Sequence, residues 1–353
     1  MDLQPYFEQA IAQKASDVHL VGGSCPHLRI DGQLVKIEQE PLDADKLAQA
    51  IYGLLDDHLI NRLKNDKELD ISRSVAGGYF RVNLHYQRGL IGLTARLISH
   101  DIPDPEQISL GKRLQKLAFL NDGLVLVVGA CGSGKSTTIA SLLGIINRER
   151  QGKIITIEDP IEYIFENNQC LIEQREIGID TNDFAIALKY VLRQDPNVIM
   201  VGEMRDNETM DAALTAAETG HLVFSTLHTN TAAEALSRIV SSFPVYQQTQ
   251  IAGKLSMCLR AVISQRLLPA VNGGRVAVRE IMFNTPAIAN LLRTQKPEQI
   301  PSIIQVSSRD GMISFNRAIE ELLMSGQISP EVAGAYQRGD SGDSYWRQQN
   351  QLD

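Results

Sequence analysis

Apolar residues in the first hundred positions mostly alternate. Residues 2–14 first place Leu3, Phe7, Ala10 and Ile11 on one helical face. From Ala15 the period shortens: ASDVHLV, HLRIDG, QLVKI, ELDISRS, YFRVNLHY and LIGLTARLI each predict a short strand. A helical pattern from Asp43 to Lys64 interrupts them. Short strands mixed with helices predict an α+β domain with a mostly antiparallel sheet over residues 1–99. Asp17 and His19 fall on one side of their strand and read as a polar, solvent-facing pair.

HDIPDPEQISLGK, residues 100–112, has no clear period and carries Pro103 and Pro105, so it predicts an interdomain linker. Beyond it strands and helices alternate, which predicts a parallel α/β sheet in a second domain over residues 113–285. GLVLVV, KIITIE, NVIMVG and HLVFSTL are its strands. Helices are expected at 136–147, 183–193 and 208–219, and a helical stretch from Thr231 to Gln265 broken near Pro244. RVAVREIMF adds a strand, residues 286–336 read as C-terminal helices, and the polar residues 337–353 read as a disordered tail.

GACGSGKSTT changes the picture from fold to chemistry. It fits G-x-x-x-x-G-K-[ST] with Gly129, Gly134, Lys135 and Ser136, between a buried strand and a helix. Such a loop aims the backbone N–H groups of Gly129, Ala130, Cys131, Gly132, Ser133, Gly134, Lys135, Ser136 and Thr137 toward a polyphosphate, and the helix N-terminus adds partial positive charge. ATP with Mg²⁺ is the expected ligand: Lys135 meets the β- and γ-phosphates and the Ser136 hydroxyl ligates the metal.

Hydrolysis also needs an acid at a strand end, to hold Mg²⁺ or to position water. Glu158 and Asp159 end one strand, with Glu162 just after, and Glu203 follows another. Ligands sit beyond the carboxyl ends of parallel strands, so both clusters fall on the loop's side. His228 ends the next strand on that same edge; His221 begins it and reads as structural. Arg81 and Arg96 sit on N-terminal strands and read, from the residues alone, as surface arginines.

Composition narrows the class. The formal net charge of −8 gives no support for a nucleic-acid binder, and four scattered cysteines form no C-x-x-C pair. No apolar run reaches the roughly 18 to 20 residues of a membrane span, so a cytoplasmic protein with peripheral membrane contact is expected.

Read together, GACGSGKSTT, TIEDPIEY with CLIEQREIG, LRQDPNVIMVGEMRD and TAAETGHLVFSTLHTN resemble the Walker A, Asp, Walker B and His boxes of the PilT-like branch of the type II/type IV secretion ATPase superfamily. That resemblance implies a PAS-like N-terminal domain, a RecA-like P-loop ATPase domain and a homo-hexameric ring. The ring would work under an inner-membrane platform protein, alongside a second pilus ATPase, and drive retraction of type IV pili in twitching motility. It puts Lys135 and Ser136 on phosphate and Mg²⁺, Glu158 and Glu203 in the catalytic acid positions with Glu203 toward the metal, and His228 in the His box. It also brings Arg81 and Arg96 to the nucleotide. The chain departs from the family pattern at Ala130-Cys131, where Pro-Thr is usual, and at AIANLLRT, where Ala289 and Thr294 replace an arginine and an acid of an AIRNLIRE-like segment. An accessory pilus ATPase, a protein- or DNA-translocating relative, a nucleotide-gated scaffold and a small-molecule kinase are the competing classes.

Overall fold

Each sheet follows from its spacing. The structure, a computed structural model, describes residues 1–337 and divides into two units. One comprises Met1–Asp101 with Pro160–Ile164, and the other holds the remainder. The expected tail lies, apart from Gln337, outside the described residues.

In the first unit α1 (Gln4–Ala12) is followed by β1 (Asp17–Val21), β2 (His27–Ile30) and β3 (Gln33–Lys36). Then come α2 (Ala44–Tyr52), α3 (Asp57–Asp66), β4 (Glu68–Val75), β5 (Gly78–Gln87) and β6 (Leu90–Leu97). The single helical pattern expected from Asp43 to Lys64 is therefore two helices. Asp43 and Asp56 each cap one, accepting from the N–H of Lys46 and Leu59, and the second cap starts a new helix after the turn at Gly53. The six strands form one antiparallel sheet in the order β3-β2-β1-β6-β5-β4. Alternation does the sorting: Val18, Leu20, Val82, Leu84, Leu93 and Ala95 turn to a core shared with Phe7, Leu47, Ile51 and Leu63 of the helices. Phe7 meets Phe80 edge-on at 4.7 Å between ring centroids. Pro160–Ile164, expected within the second domain, clusters with this unit; the Ile164 N–H donates to the Ser99 carbonyl.

The second unit runs α4 (Lys112–Gln115), β7 (Gly123–Val128), α5 (Lys135–Glu149), β8 (Gly152–Glu158), β9 (Cys170–Glu176), α6 (Phe184–Val191) and β10 (Val198–Val201). It continues with α7 (Asn207–Glu218), β11 (Leu222–Leu227), α8 (Ala232–Ser241), α9 (Val245–Cys258), β12 (Leu259–Pro269) and β13 (Arg275–Phe283). The described chain closes with α10 (Pro286–Arg293), α11 (Ile300–Val306), α12 (Phe315–Met324) and α13 (Pro330–Tyr336). The sheet order is β13-β12-β7-β11-β10-β8-β9; all neighbours are parallel except β13, which pairs antiparallel with β12.

Both faces of this sheet are covered. Leu124, Leu126 and Val128 of β7 pack in the core that holds α6 to α10, while Val125 and Val127 pack with α5. A strand buried on both sides needs apolar residues at every position, hence the unbroken GLVLVV. The helical stretch expected to Gln265 ends instead at Cys258. LRAVISQRLLP is a strand that slides parallel to β7, and a buried strand and a buried helix share the same run of apolar residues. β9 was not expected either: CLIEQRE has one buried residue at each end and partly exposed ones between, too little contrast to register as a period.

Candidate nucleotide site

The loop from Gly129 to Gly134 leaves β7 where its neighbours end. Leu227 of β11 and Ser264 of β12 both pair with Val128, so His228 and Gln265 come next to the loop on either side. Gly134 has φ +84°, and a Cβ built there would lie 2.8 Å from Gln265 Nε2; only glycine fits both constraints. Gly134 is also the N-cap of α5, and having no side chain it cannot itself cap that helix. By contrast α6, α7 and α8, which follow other strands of the sheet, are closed by the side chains of Asp183, Asp206 and Thr231. The helix behind the glycine loop thus starts without a capping side chain from its N-cap residue. Lys135 is buried, and its Nζ donates to the carbonyls of Gly129 at 2.9 Å and Ala130 at 3.0 Å, which holds the ammonium across the loop. Ser136 and Thr137 are half-buried in the first turn; Ala130, Cys131 and Gly132 are exposed.

Glu203 stands two residues past β10. Backbone bonds stitch its loop to the adjoining strand ends: Gly202 N–H to Ile157 O at 2.8 Å, Met204 N–H to Thr226 O at 3.2 Å, and Thr226 Oγ1 to Gly202 O at 2.6 Å. The carboxylate is 13 % exposed and pairs through Oε1 with Arg205; this bond raises the Arg205 pKa. Its Oε2 lies 3.4 Å from His228 Nε2 and is buried with no hydrogen-bond donor. Glu158, the last residue of β8, is buried and accepts from Thr156 Oγ1 at 2.7 Å and Gln174 Nε2 at 3.3 Å. It pairs in register with Glu176 on β9, a second buried acid that the sequence reading left unassigned. Asp159 is exposed, and Glu162 belongs to the first unit. The structure therefore brings Glu203 and His228 together, and places Glu158 on the same strand-end edge. His221 Nδ1 lies 3.0 Å from Ala216 O at the end of α7, a structural position.

In the first unit Arg81 and Arg96 are cross-strand partners on β5 and β6, and the register continues through Asp17 on β1 to Arg29 on β2. One row on the sheet's polar side thus reads Arg29, Asp17, Arg96, Arg81. Asp17 is not the solvent-facing residue expected. It is buried, with Arg96 Nε donating at 2.9 Å and Ser16 Oγ at 2.7 Å, and with the Arg29 guanidinium as an ion-pair neighbour at 3.8 Å. Burial raises its pKa, but the bonds from Ser16 and Arg96 outweigh that and hold the carboxyl below its ordinary value. Burial holds the His19 imidazole below its usual value as well. Arg81 and Arg96 are largely exposed, and Arg81 is 3.9 Å from Asp70.

Gln265, Arg279 and Arg205 line or brace this machinery and were not anticipated. Arg205 was legible as the fourth residue of GEMRD, two positions after Glu203. Gln265 was hidden because its strand was read as helix.

The loop, the helix that starts at its last glycine and the acids beside it define a P-loop nucleotide-binding protein on a parallel sheet. The chain belongs to the Type II/IV secretion system protein family, which matches residues 106–332. It is 42% identical over 334 residues to the type IV pilus retraction ATPase PilT of Pseudomonas aeruginosa, covering 94% of this chain and 97% of that protein. It is 38% identical over 338 residues to the type IV pilus ATPase PilU of the same organism, covering 95% and 88%. A crystal structure of the pilus retraction motor PilT with bound ADP aligns with TM-score 0.87 at 42% identity, covering 94% of this chain and 96% of that one. The chain is thus PilT-like. Among the described residues no helix is long and apolar enough to cross a membrane.

Proposed function

We propose that this chain is a cytoplasmic, ring-forming ATPase, most simply a hexamer of a PAS-like and a RecA-like domain. It would sit peripherally under an inner-membrane platform protein and couple ATP hydrolysis to type IV pilus retraction. The observation that carries the reading is Glu203: a nearly buried carboxylate, one oxygen without a donor, beside His228 at the edge where the phosphate loop opens. The α5 N–H groups and Lys135 bind the phosphates, the ammonium exchanging the Gly129 and Ala130 carbonyls for phosphate oxygens. The Ser136 hydroxyl is an oxygen donor of the kind Mg²⁺ takes, the Glu203 carboxylate would face that ion through water, and the ion would neutralise charge on the phosphates. Water attacks the γ-phosphorus as the bond to the β–γ bridging oxygen breaks, and the free oxygen of Glu203 accepts the proton. Glu158, already receiving two hydrogen bonds, orders that edge rather than taking the proton. His228 is placed to feel the change in charge on Glu203. Arg81 and Arg96 are the candidate cations for the charge that builds on the γ-phosphate.

Lys135→Ala tests the reading. Phosphate release is expected to fall at least about 10²-fold, and a strain carrying it, like a deletion, should be hyperpiliated and unable to twitch. Wild-type turnover in the variant, or bald cells on deletion, overturns it.

A second reading, an accessory pilus ATPase, has its own observation. On α10 Ala289 and the exposed Thr294 stand where the resemblance expects an arginine and an acid, and Thr294 Oγ1 is turned back onto the Asn290 carbonyl at 2.8 Å. Deletion that weakens retraction force without raising piliation supports this reading over the first.

A further inference from the structure

A guanidinium taken out of water persists only when its N–H groups are matched. Arg279, on β13, is 7% exposed, and each of its three nitrogens donates to a neutral oxygen. Nε reaches Gln265 Oε1 at 2.8 Å, and the two terminal nitrogens reach Ser109 O at 3.0 Å and Ile108 O at 2.9 Å. Burial pushes its pKa down to about 10, which leaves it charged at neutral pH. Gln265 and Arg279 are cross-strand partners, so the sheet itself fixes the pair.

Gln265 continues the chain of bonds into the phosphate loop. Its Oε1 also accepts from Thr138 Oγ1 at 2.8 Å, and its Nε2 donates to the Ser133 carbonyl at 2.7 Å. Ser133 and Thr138 bracket Gly134, Lys135 and Ser136. One carboxamide therefore holds both ends of the phosphate-binding turn.

At the other end Arg279 holds a strained turn. Ser109 sits at φ +52°, the left-handed region that a residue with a Cβ occupies only under constraint. The Ser109 N–H bonds to Glu106 O at 3.1 Å and the Leu110 N–H to Pro105 O at 2.7 Å. This tight turn, within the stretch that the sequence marks as linker, aims two successive carbonyls at one guanidinium.

We propose that Gln265 and Arg279 are positioning residues that tie the phosphate loop to the linker turn at Ile108 and Ser109, so that nucleotide in the loop is felt at the turn. This rests on the nucleotide reading above. A phosphate drawing the Ser133–Ser136 backbone toward itself pulls on the Gln265 amide. Gln265 shares its Oε1 between Thr138 and Arg279, so the pull reaches the Arg279 bonds to the linker carbonyls. The linker follows Asp101, where the chain first leaves the first unit, which makes it one covalent route between them, the other being through Pro160–Ile164.

Hydrogen–deuterium exchange of the full chain, with and without ADP, tests this. In the wild type ADP should slow exchange both in the loop peptide and in the peptide spanning residues 106–112. Arg279→Lys keeps a cation but cannot reproduce the three-way fork. Gln265→Met keeps the volume and leaves Arg279 its two carbonyls, so it cuts the relay without stranding a buried charge. In Arg279→Lys, whose residue touches no part of the loop, ADP should still protect the loop, and in each variant the 106–112 peptide should exchange about tenfold faster than in the ADP-bound wild type and no longer respond to ADP. A linker response that survives in either folded variant overturns the proposal, as does a wild type whose loop is protected while the linker stays silent. A wild-type loop that ADP leaves unprotected removes the nucleotide reading and this proposal together, so the two failures are told apart.

Discussion

Every residue of β7 and β11 is buried, whereas β1 alternates: Val18 and Leu20 enter the core while Asp17 and His19 occupy the opposite side. The parallel sheet has no free face, so its chemistry is pushed to the strand ends, where Lys135, Glu158, Glu203 and His228 lie at or just beyond the last strand residues. The antiparallel sheet has a polar face, and its charges lie across the strands as the row Arg29, Asp17, Arg96, Arg81. A strand-end site is assembled from residues followed by turns, each readable as a short motif. A cross-strand row is assembled by register, from residues up to 79 positions apart in one bond.

The comparison breaks first at Glu203. If the strand-end site does the hydrolysis, Glu203→Gln should lower phosphate release about 10³-fold while ADP still binds. Steady-state phosphate assays and calorimetric ADP titration check both halves. Should Glu158→Gln show the larger loss and Glu203→Gln the smaller, the two acids exchange roles, and the donor-free oxygen of Glu203 ceases to be the mark of the base.

Next comes the row of the first unit. If Arg81 and Arg96 serve a nucleotide, Arg81→Ala or Arg96→Ala should each lower kcat about 10²-fold, with ADP affinity within about threefold. Activity unchanged in both would leave Arg81 and Arg96 as surface arginines.

That ordering also explains what was legible. The phosphate loop, both acids and His228 could be placed because each follows a buried run whose end fixes its edge. Lys135's hold on the Gly129 and Ala130 carbonyls could not be foreseen, since it depends on the loop's own curl. Gln265 was lost for a different reason: AVISQ fits buried strand and buried helix equally, and only pairing with β7 decides. Asp17 read as exposed because alternation assigns it to the polar side. That side was taken as solvated, and no local pattern reveals that Arg96, Arg29 and Ser16 cover it. The break between α2 and α3 was, in principle, visible: Asp43 and Asp56 are both cap residues, and the second was passed over inside a helical period.

The smallest effect separates a row held by charge from one held by packing. Asp17 has its pKa below the ordinary value because, despite burial, its hydrogen bonds favour the carboxylate. The folded form therefore binds that proton less tightly than the unfolded chain, whose Asp titrates near about 3.9. The stabilisation is present above that pH and is lost as the pH falls through the lower folded value. Arg96 is 67 % exposed, so solvent discounts the pair to about 1 kcal/mol. Hydrogen exchange in β1 and β6 of the full chain reads this directly. At pH 7, Asp17→Asn should open these strands about fivefold more often than the wild type. Below the ordinary Asp range the gap should narrow as the pH falls, because the unfolded chain takes up the proton first and the folded carboxyl follows at its lower value. A gap that stays the same as the pH falls would mean that Asp17 holds the row by shape and neutral hydrogen bonds, not by charge.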